Sequence, residues 1–188
     1  MKHNYKEIEG WFNMEEQYLE LLQATPEGGI FVELGAYKGK STSFIVTEII
    51  NRGRNINFTT VDTFQGDSGS KDKVEVEAYK KVNLSKMYDE FVTNTNHLYE
   101  HLETIIGKSN ETAQLFENES IDCLFIDAGH SYEAVKADIA AWLPKMKNES
   151  IMAGHDYTAW KGVKEAVNGA FDKPDKVEND CWFVKVKK

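Results

Sequence analysis

The sequence predicts an α/β protein with a doubly wound, mostly parallel sheet whose last strand runs antiparallel. Three observations predict it. Short apolar runs (GIFVEL, INFTTVDTF, ETIIG, IDCLFIDA and SIMAG) alternate with stretches of helical apolar period. IDCLFIDA is almost continuously apolar, as a parallel strand covered on both faces requires. The residues of greatest chemical interest stand at the carboxyl ends of these runs, where such sheets bind ligands.

The elements follow in order. Residues 5–23 place Ile8, Trp11, Phe12, Tyr18, Leu21 and Leu22 at roughly helical spacing before Pro26-Glu27-Gly28-Gly29 breaks the chain. GIFVEL is the first strand and residues 41–51 a helix. INFTTVDTF is a second strand, rich in β-branched residues. Residues 65–86 are polar and read as a loop followed by a helix, an insertion placed to act as a lid. Residues 86–102 continue as a helix, ETIIG is a third strand and ETAQLFEN a helix. After IDCLFIDA, Ser131 caps a helix whose apolar face is Val135, Ile139, Leu143 and Met146, with Pro144 near its end. SIMAG is the fifth strand, VKEAVNGAF a helix and CWFVKVK the last strand. The pattern is Rossmann-like and forms a single domain over residues 1–188, with an N-terminal helical extension over about residues 3–25.

Composition excludes several classes. At 188 residues, 41% apolar and 28% charged, the chain suits one soluble globular domain. No apolar run approaches the roughly 20 residues that cross a membrane, and the acidic, interrupted N-terminus does not read as a secretory signal. A net charge of −9 repels a polyphosphate backbone, so nucleic acid is not expected as a partner, and with no spanning run neither is a membrane. Cys123 and Cys181 have no metal-binding spacing and read as free thiols in a reducing cytoplasm. His3, His97 and His101 have no chemical context and read as surface residues.

The loop after the first strand, ELGAYKGKST, raises the question of which ligand it takes. A phosphate loop needs four residues between its first glycine and Gly-Lys-Ser/Thr, and Gly35 to Gly39 encloses three. A dinucleotide fingerprint needs glycines at 37 and 40, which are Tyr37 and Lys40. Glu33, at the strand end, would oppose a polyphosphate and suits a cationic ligand. A sulfonium nucleotide carries such a charge, and glycines let the backbone approach it closely. Asp62 ends the second strand about 20 residues beyond the loop, the usual place of an acid that binds a ribose diol. Alone, it reads equally well as a turn-capping acid.

ELGAYKGKS resembles the first motif of class I S-adenosylmethionine-dependent methyltransferases, in particular the catechol O-methyltransferase branch. IIGKSNETA is similar to that branch's third-strand loop. DCLFIDAGHSYEAVKADIAAWLP with IMAGHDY resembles a bacterial and phage methyltransferase group of the same fold. The resemblance runs from about Glu9 to Tyr157. It implies that Glu33, Gly35, Tyr37, Gly39 and Ser41 surround the methionine part of the cofactor. Asp62 would take the ribose hydroxyls, Thr63 and Phe64 would flank the adenine, and Ser109 and Asn110 would close its far side. Asp127 would reach the cofactor from the fourth strand. Tyr37 reads equally as a core aromatic.

Asp127 and His130 follow the fourth strand, and His155 and Asp156 end the fifth. Adjacent parallel strands lie about 4.8 Å apart, so these groups can converge. Asp127, His155 and Asp156 suit a hard divalent ion such as Mg²⁺. Such an ion lowers the pKa of an acceptor hydroxyl, with Asp127 and His130 as the catalytic pair and His130 as base. The catechol-type enzymes place an acidic pair, or an acid and an amide, at the fifth strand and commonly use a lysine base. His155 and His130 depart from that pattern, so a different metal, or His130 acting without one, stays open. Trp142 reads as helix packing and Trp160 as a wall of the acceptor pocket.

The resulting expectation is S-adenosylmethionine-dependent O-methylation of a small-molecule hydroxyl. Its rivals are a non-catalytic adenosine-binding module, a phosphate-loop NTPase suggested by GKST and LFID, and N- or C-methylation on the same fold. The acceptor is not encoded legibly, and for oligomeric state a homodimer stays open.

Overall fold

A computed structural model describes residues 1–66 and 83–188. The lid expected at 65–86 lies mostly outside the described residues. Seven strands form one sheet: β1 (Ile30–Leu34), β2 (Asn57–Asp62), β3 (Glu103–Ile106), β4 (Ile121–Ile126), β5 (Met146–Gly154), β6 (Lys176–Glu178) and β7 (Cys181–Lys185). Their order is β3-β2-β1-β4-β5-β7-β6. The first five are parallel, while β7 runs antiparallel to both β5 and β6. Strand order reverses between β1 and β4, which puts a ligand crevice at their carboxyl ends.

The helices are α1 (Glu15–Ala24), α2 (Lys40–Asn51), α3 (Leu84–Thr95), α4 (Ser109–Thr112), α5 (Tyr132–Trp142) and α6 (Lys161–Phe171). On one face of the sheet, α1 and α2 pack Tyr18, Leu21, Ile45 and Ile49 against Phe31, Phe125 and Phe183. On the other, α5 and α6 pack Val135, Ile139, Trp142 and Val167 against Val32, Leu124 and Met152. Strands β1 and β4 therefore have both faces covered, which is why their sequences are apolar without alternation.

Four differences from the sequence reading have local causes. The helix expected to run through Met146 ends at Trp142, and a 3-10 turn carrying Pro144 leads straight into β5. Leu143 and Met146 keep the helical period, but proline has no N–H to continue the ladder. The helix expected over ETAQLFEN is the short α4 followed by a 3-10 turn at Ala113–Leu115. Strand β6, short and polar, forms a hairpin with β7 that the apolar pattern does not mark. The two strands are joined through Asn179 and Asp180, both with positive φ, the geometry of a tight two-residue hairpin. His97 and His101 are exposed as expected, whereas His3 is half-buried, stacked on Phe44 and 2.8 Å from Glu48.

Candidate active site

The loop after β1 is shaped by contact with β4. Gly35 has φ +94°, and a Cβ there would lie 1.9 Å from the Asp127 carbonyl oxygen. The Gly35 N–H donates to Val61 O at 2.8 Å, and Asp127 N–H donates to Leu34 O at 2.8 Å. The loop is thus pressed between the ends of β2 and β4, a fit that no side chain permits. Gly39 then caps α2.

Asp62 organises this loop. Its Oδ2 accepts Ala36 N–H at 2.7 Å and Tyr37 N–H at 2.9 Å, and its Oδ1 accepts Phe64 N–H at 2.7 Å. One carboxylate therefore fixes both turns at the switch point. Phe64, expected beside the adenine, is 4% exposed and packs on Phe91 and Tyr88 beneath α3. Thr63 is half-buried and accepts Gln65 N–H. Tyr37 is half-buried, with Trp11 5.9 Å from its ring.

Glu33 does not stand open to a ligand. It has no exposed surface, and its two oxygens accept hydroxyls from Tyr18, Ser41, Thr42 and Thr60. Burial raises its pKa, and the four hydroxyl bonds work against that rise. Its register partners are Thr60 on β2 and Phe125 on β4, so the strand pairing itself turns it into the core. Among residues around it, Ser41 is half-buried and Thr42 and Thr60 are fully buried.

The two lysines of this loop are also engaged. The buried Lys38 Nζ lies 2.6 Å from Glu9 and 2.8 Å from Glu90. Burial opposes its charge, yet the two carboxylates hold its pKa above the ordinary value. Lys40 Nζ donates to Gly10 O at 2.9 Å. With its cations spent on acids and a carbonyl, the loop does not present the charge a polyphosphate needs.

At the third strand end, Ser109 Oγ donates to Asp138 on α5, and Trp142 Nε1–H donates to Ser109 O at 2.8 Å. Asn110 is exposed. Asp138 is 2% exposed, and burial raises its pKa to about 6 despite the Ser109 hydroxyl. Nothing in the apolar spacing of α5 singled it out; the only signal was an acid on an otherwise inward-facing position.

The ends of β4 and β5 bring together Asp127, His130, His155 and Asp156. His130 Nε2 lies 2.8 Å from Asp156 Oδ2, and its ring stacks on Trp160 at 4.9 Å between centroids and 14° between planes. His155 Nδ1 lies 3.3 Å from Asp156 Oδ1 and 4.0 Å from Asp127 Oδ1. Burial raises the pKa of Asp156, but the bonds from His130 and His155 overcome it and hold the group below the carboxylate range. Asp127 moves the other way, pushed up chiefly by burial. The His155 ring loses stability as a cation through burial and regains more from Asp156, so its pKa is raised.

Among the described residues, two groups place ligand atoms within 4.8 Å of one another: Asp127, His130 and Asp156, and separately His155, Asp156 and Asp180. The residues of the expected metal set, Asp127, His155 and Asp156, are thus divided between two groups that share Asp156. His155 turns Nδ1 toward Asp156 and Asp127, while its Nε2 is buried without a hydrogen-bond partner among the described residues. Asp180, absent from the sequence reading, comes from the hairpin turn. Its Oδ1 accepts from Thr158 N–H, the Thr158 hydroxyl and Ala159 N–H, pinning the loop that carries Trp160.

A seven-stranded sheet with this crevice, a glycine loop held by an acid, and an Asp-His cluster at β4 and β5 define a doubly wound α/β protein with a candidate site at the carboxyl edge of its sheet. A family model described as a methyltransferase domain matches residues 32–157. The chain belongs to this methyltransferase family, with the class I S-adenosylmethionine-dependent fold. The O-methyltransferase NovP has a similar structure, with TM-score 0.71 and 19% identity over 93% of this chain and 79% of that one. CalS11, a TDP-rhamnose 3'-O-methyltransferase of calicheamicin biosynthesis, gives TM-score 0.60 and 16% identity over 93% of this chain and 78% of that one. Uncharacterized protein y4gI of Sinorhizobium fredii (strain NBRC 101917 / NGR234) is 29% identical over 126 residues, 66% of this chain. That match spans 13% of the length of y4gI.

Proposed function

We infer that the chain transfers the methyl group of S-adenosylmethionine to a hydroxyl oxygen of a small-molecule acceptor, with His130 as the base. The observation that carries this reading is the 2.8 Å approach of His130 Nε2 to Asp156 beside Asp127 at the crevice mouth. A carboxylate on one ring nitrogen favours the imidazolium that forms when the base takes a proton. The face-to-face Trp160 ring holds the imidazole in one plane.

Asp62 and the loop Gly35–Gly39 are assigned to the ribose and methionine portions, with Ser109 and Asn110 at the adenine. Glu33 acts at one remove, by holding the Ser41 hydroxyl and adding negative potential beneath a cationic sulfur. In the reaction, His130 removes the acceptor proton, the oxygen attacks the methyl carbon, and the carbon–sulfur bond breaks. Positive sulfur and negative oxygen are both neutralised, so the chain's task is to align the partners and exclude water.

The carboxylates of Asp127 and Asp156 offer oxygen donors that fit a hard divalent cation, with His130 kept as the base. Such an ion, when bound, supplies acidification of the acceptor hydroxyl. The net charge of −9 supports a small acceptor over a nucleic acid, and two buried free thiols are compatible with a reducing cytoplasm. Among the described residues, no helix is long and apolar enough to cross a membrane.

The test is transfer of a labelled methyl group to a panel of sugar, phenol and natural-product hydroxyls. Product formed by the unaltered chain and lost in His130→Ala supports the reading. Binding of S-adenosylhomocysteine without transfer to any acceptor in the panel would favour a binding module.

A further inference from the structure

The buried carboxylate of Asp138 takes no part in the chemistry proposed above, yet it is placed directly behind the third strand end. It sits on α5 with 2% of its surface exposed. Its partner is the hydroxyl of Ser109, which is half-buried and opens α4 two residues after Gly107. Gly107 N–H donates to Asp62 O at 3.0 Å, and Ile106 is in register with Asp62. Ser109 is therefore at the same edge of the sheet as the acid assigned to the ribose, with Asp138 on its inner side. The carbonyl of Ser109 is independently held by the Trp142 indole N–H at 2.8 Å.

We propose that Asp138 is a positioning residue that makes Ser109 an acceptor of hydrogen bonds, so that the site selects a 6-aminopurine over a 6-oxopurine. This rests on the assignment of the cofactor's adenine to Ser109. A serine hydroxyl has one proton and two lone pairs. The Ser109 hydroxyl donates to Asp138 Oδ1, so its proton is directed inward. What remains on the outer side of Oγ is lone-pair density, which suits the exocyclic amino group of adenine and repels the carbonyl of hypoxanthine. The Trp142 bond prevents the turn from rotating to present a different edge. A buried acid costs stability unless it is paired, so its retention behind a solvent-edge serine is accounted for by this direction of the proton.

The experiment is calorimetric titration of the full chain with S-adenosylhomocysteine and with its deaminated analogue, S-inosylhomocysteine. The unaltered protein is expected to prefer the adenosyl compound by more than about tenfold, the cost of leaving buried polar groups mismatched. Asp138→Ala frees the hydroxyl to turn and is expected to reduce that ratio at least fivefold. Asp138→Asn retains a carbonyl acceptor and is expected to keep most of it. In a Ser109→Ala background the Asp138→Ala effect on the ratio should vanish. If Asp138→Ala does not fold, Ser109→Ala alone must collapse the ratio. An unchanged ratio, or equal weakening for both ligands, overturns the proposal in favour of a packing role. Failure of the unaltered chain to bind either compound is a different result and overturns the cofactor assignment itself.

Discussion

The imidazole of His130 and the carboxylate of Asp156, from two different strand ends, lie 2.8 Å apart, and the Trp160 ring stacks on that imidazole. Asp156 is also approached by His155 at 3.3 Å, so a single acid is shared by two imidazoles. Of the two rings, His155 buries its Nε2 in the protein.

This relationship predicts unequal consequences for the two histidines. His130→Ala should lower kcat by about 100- to 10,000-fold, the usual contribution of a positioned base. Affinity for S-adenosylhomocysteine should change by less than about threefold, because the assigned cofactor contacts lie on β1, β2 and β3. His155→Ala should act mainly on stability and more weakly on kcat. Single-turnover kinetics with calorimetry on both variants checks this; loss of cofactor affinity in His130→Ala would place that ring elsewhere in the mechanism.

Chelation tests the cation. Treatment with a chelator is expected to reduce turnover more than tenfold, with Mg²⁺ restoring it and Asp127→Asn abolishing the restoration. Methyl transfer that is indifferent to the chelator would leave His130 and Asp156 as a base pair that needs no ion.

Gly35 and Gly28 make a matched comparison, because both have positive φ but only one is crowded. An alanine at 35 brings its Cβ to 1.9 Å from a main-chain oxygen, whereas at 28 nothing lies within 4 Å. Gly28→Ala should cost about 1–2 kcal/mol, the strain of a left-handed alanine. Gly35→Ala should cost at least about 3 kcal/mol, since β1 and β4 must move apart. Thermal unfolding of the two variants measures the difference, and equal shifts would mean that the loop is not pressed against Asp127.

Asp138 predicts a pH dependence of stability. Its pKa rises from 3.8 in the unfolded chain to about 6 in the folded one, chiefly through burial. Between these values the folded state binds more protons, so the stability associated with the protonated acid is complete below pH 3.8 and is lost as pH rises through about 6. The loss is about 2–3 kcal/mol. Asp138→Asn should abolish this part of the profile, raising stability at pH 7 relative to pH 4 when compared with the unaltered chain. Parallel slopes for the two proteins across that range would show that Asp138 does not titrate there.

Much of this architecture is legible in residue patterns. Apolar runs covered on both faces mark β1 and β4, and the Ser131 cap marks the start of α5, where Ala134 N–H is held at 3.2 Å. Asp62, Asp127, His130, His155 and Asp156 all stand at strand ends, so their gathering follows from strand order. The hairpin β6–β7 was less legible because Lys176–Glu178 is short and polar, and its signal was the Asn179-Asp180 pair alone.

Local sequence carries the period of burial, the breaks made by proline and glycine, and the chemical identity of a strand-end residue. Those suffice for an α/β sheet and for a cluster of acids and imidazoles at its carboxyl edge. They do not carry the direction in which each side chain leaves that edge, because direction depends on partners remote in sequence. Glu33 turns inward because Tyr18, Thr42 and Thr60 supply hydroxyls there. His130 meets Asp156 in one fixed ring plane because Trp160, on a loop pinned by Asp180, stacks against it. Asp138 becomes a partner of Ser109 only when α5 is packed against α4. Hydrogen bonding and burial between distant segments thus select, among residues of similar chemistry, those that face the crevice and those that support it.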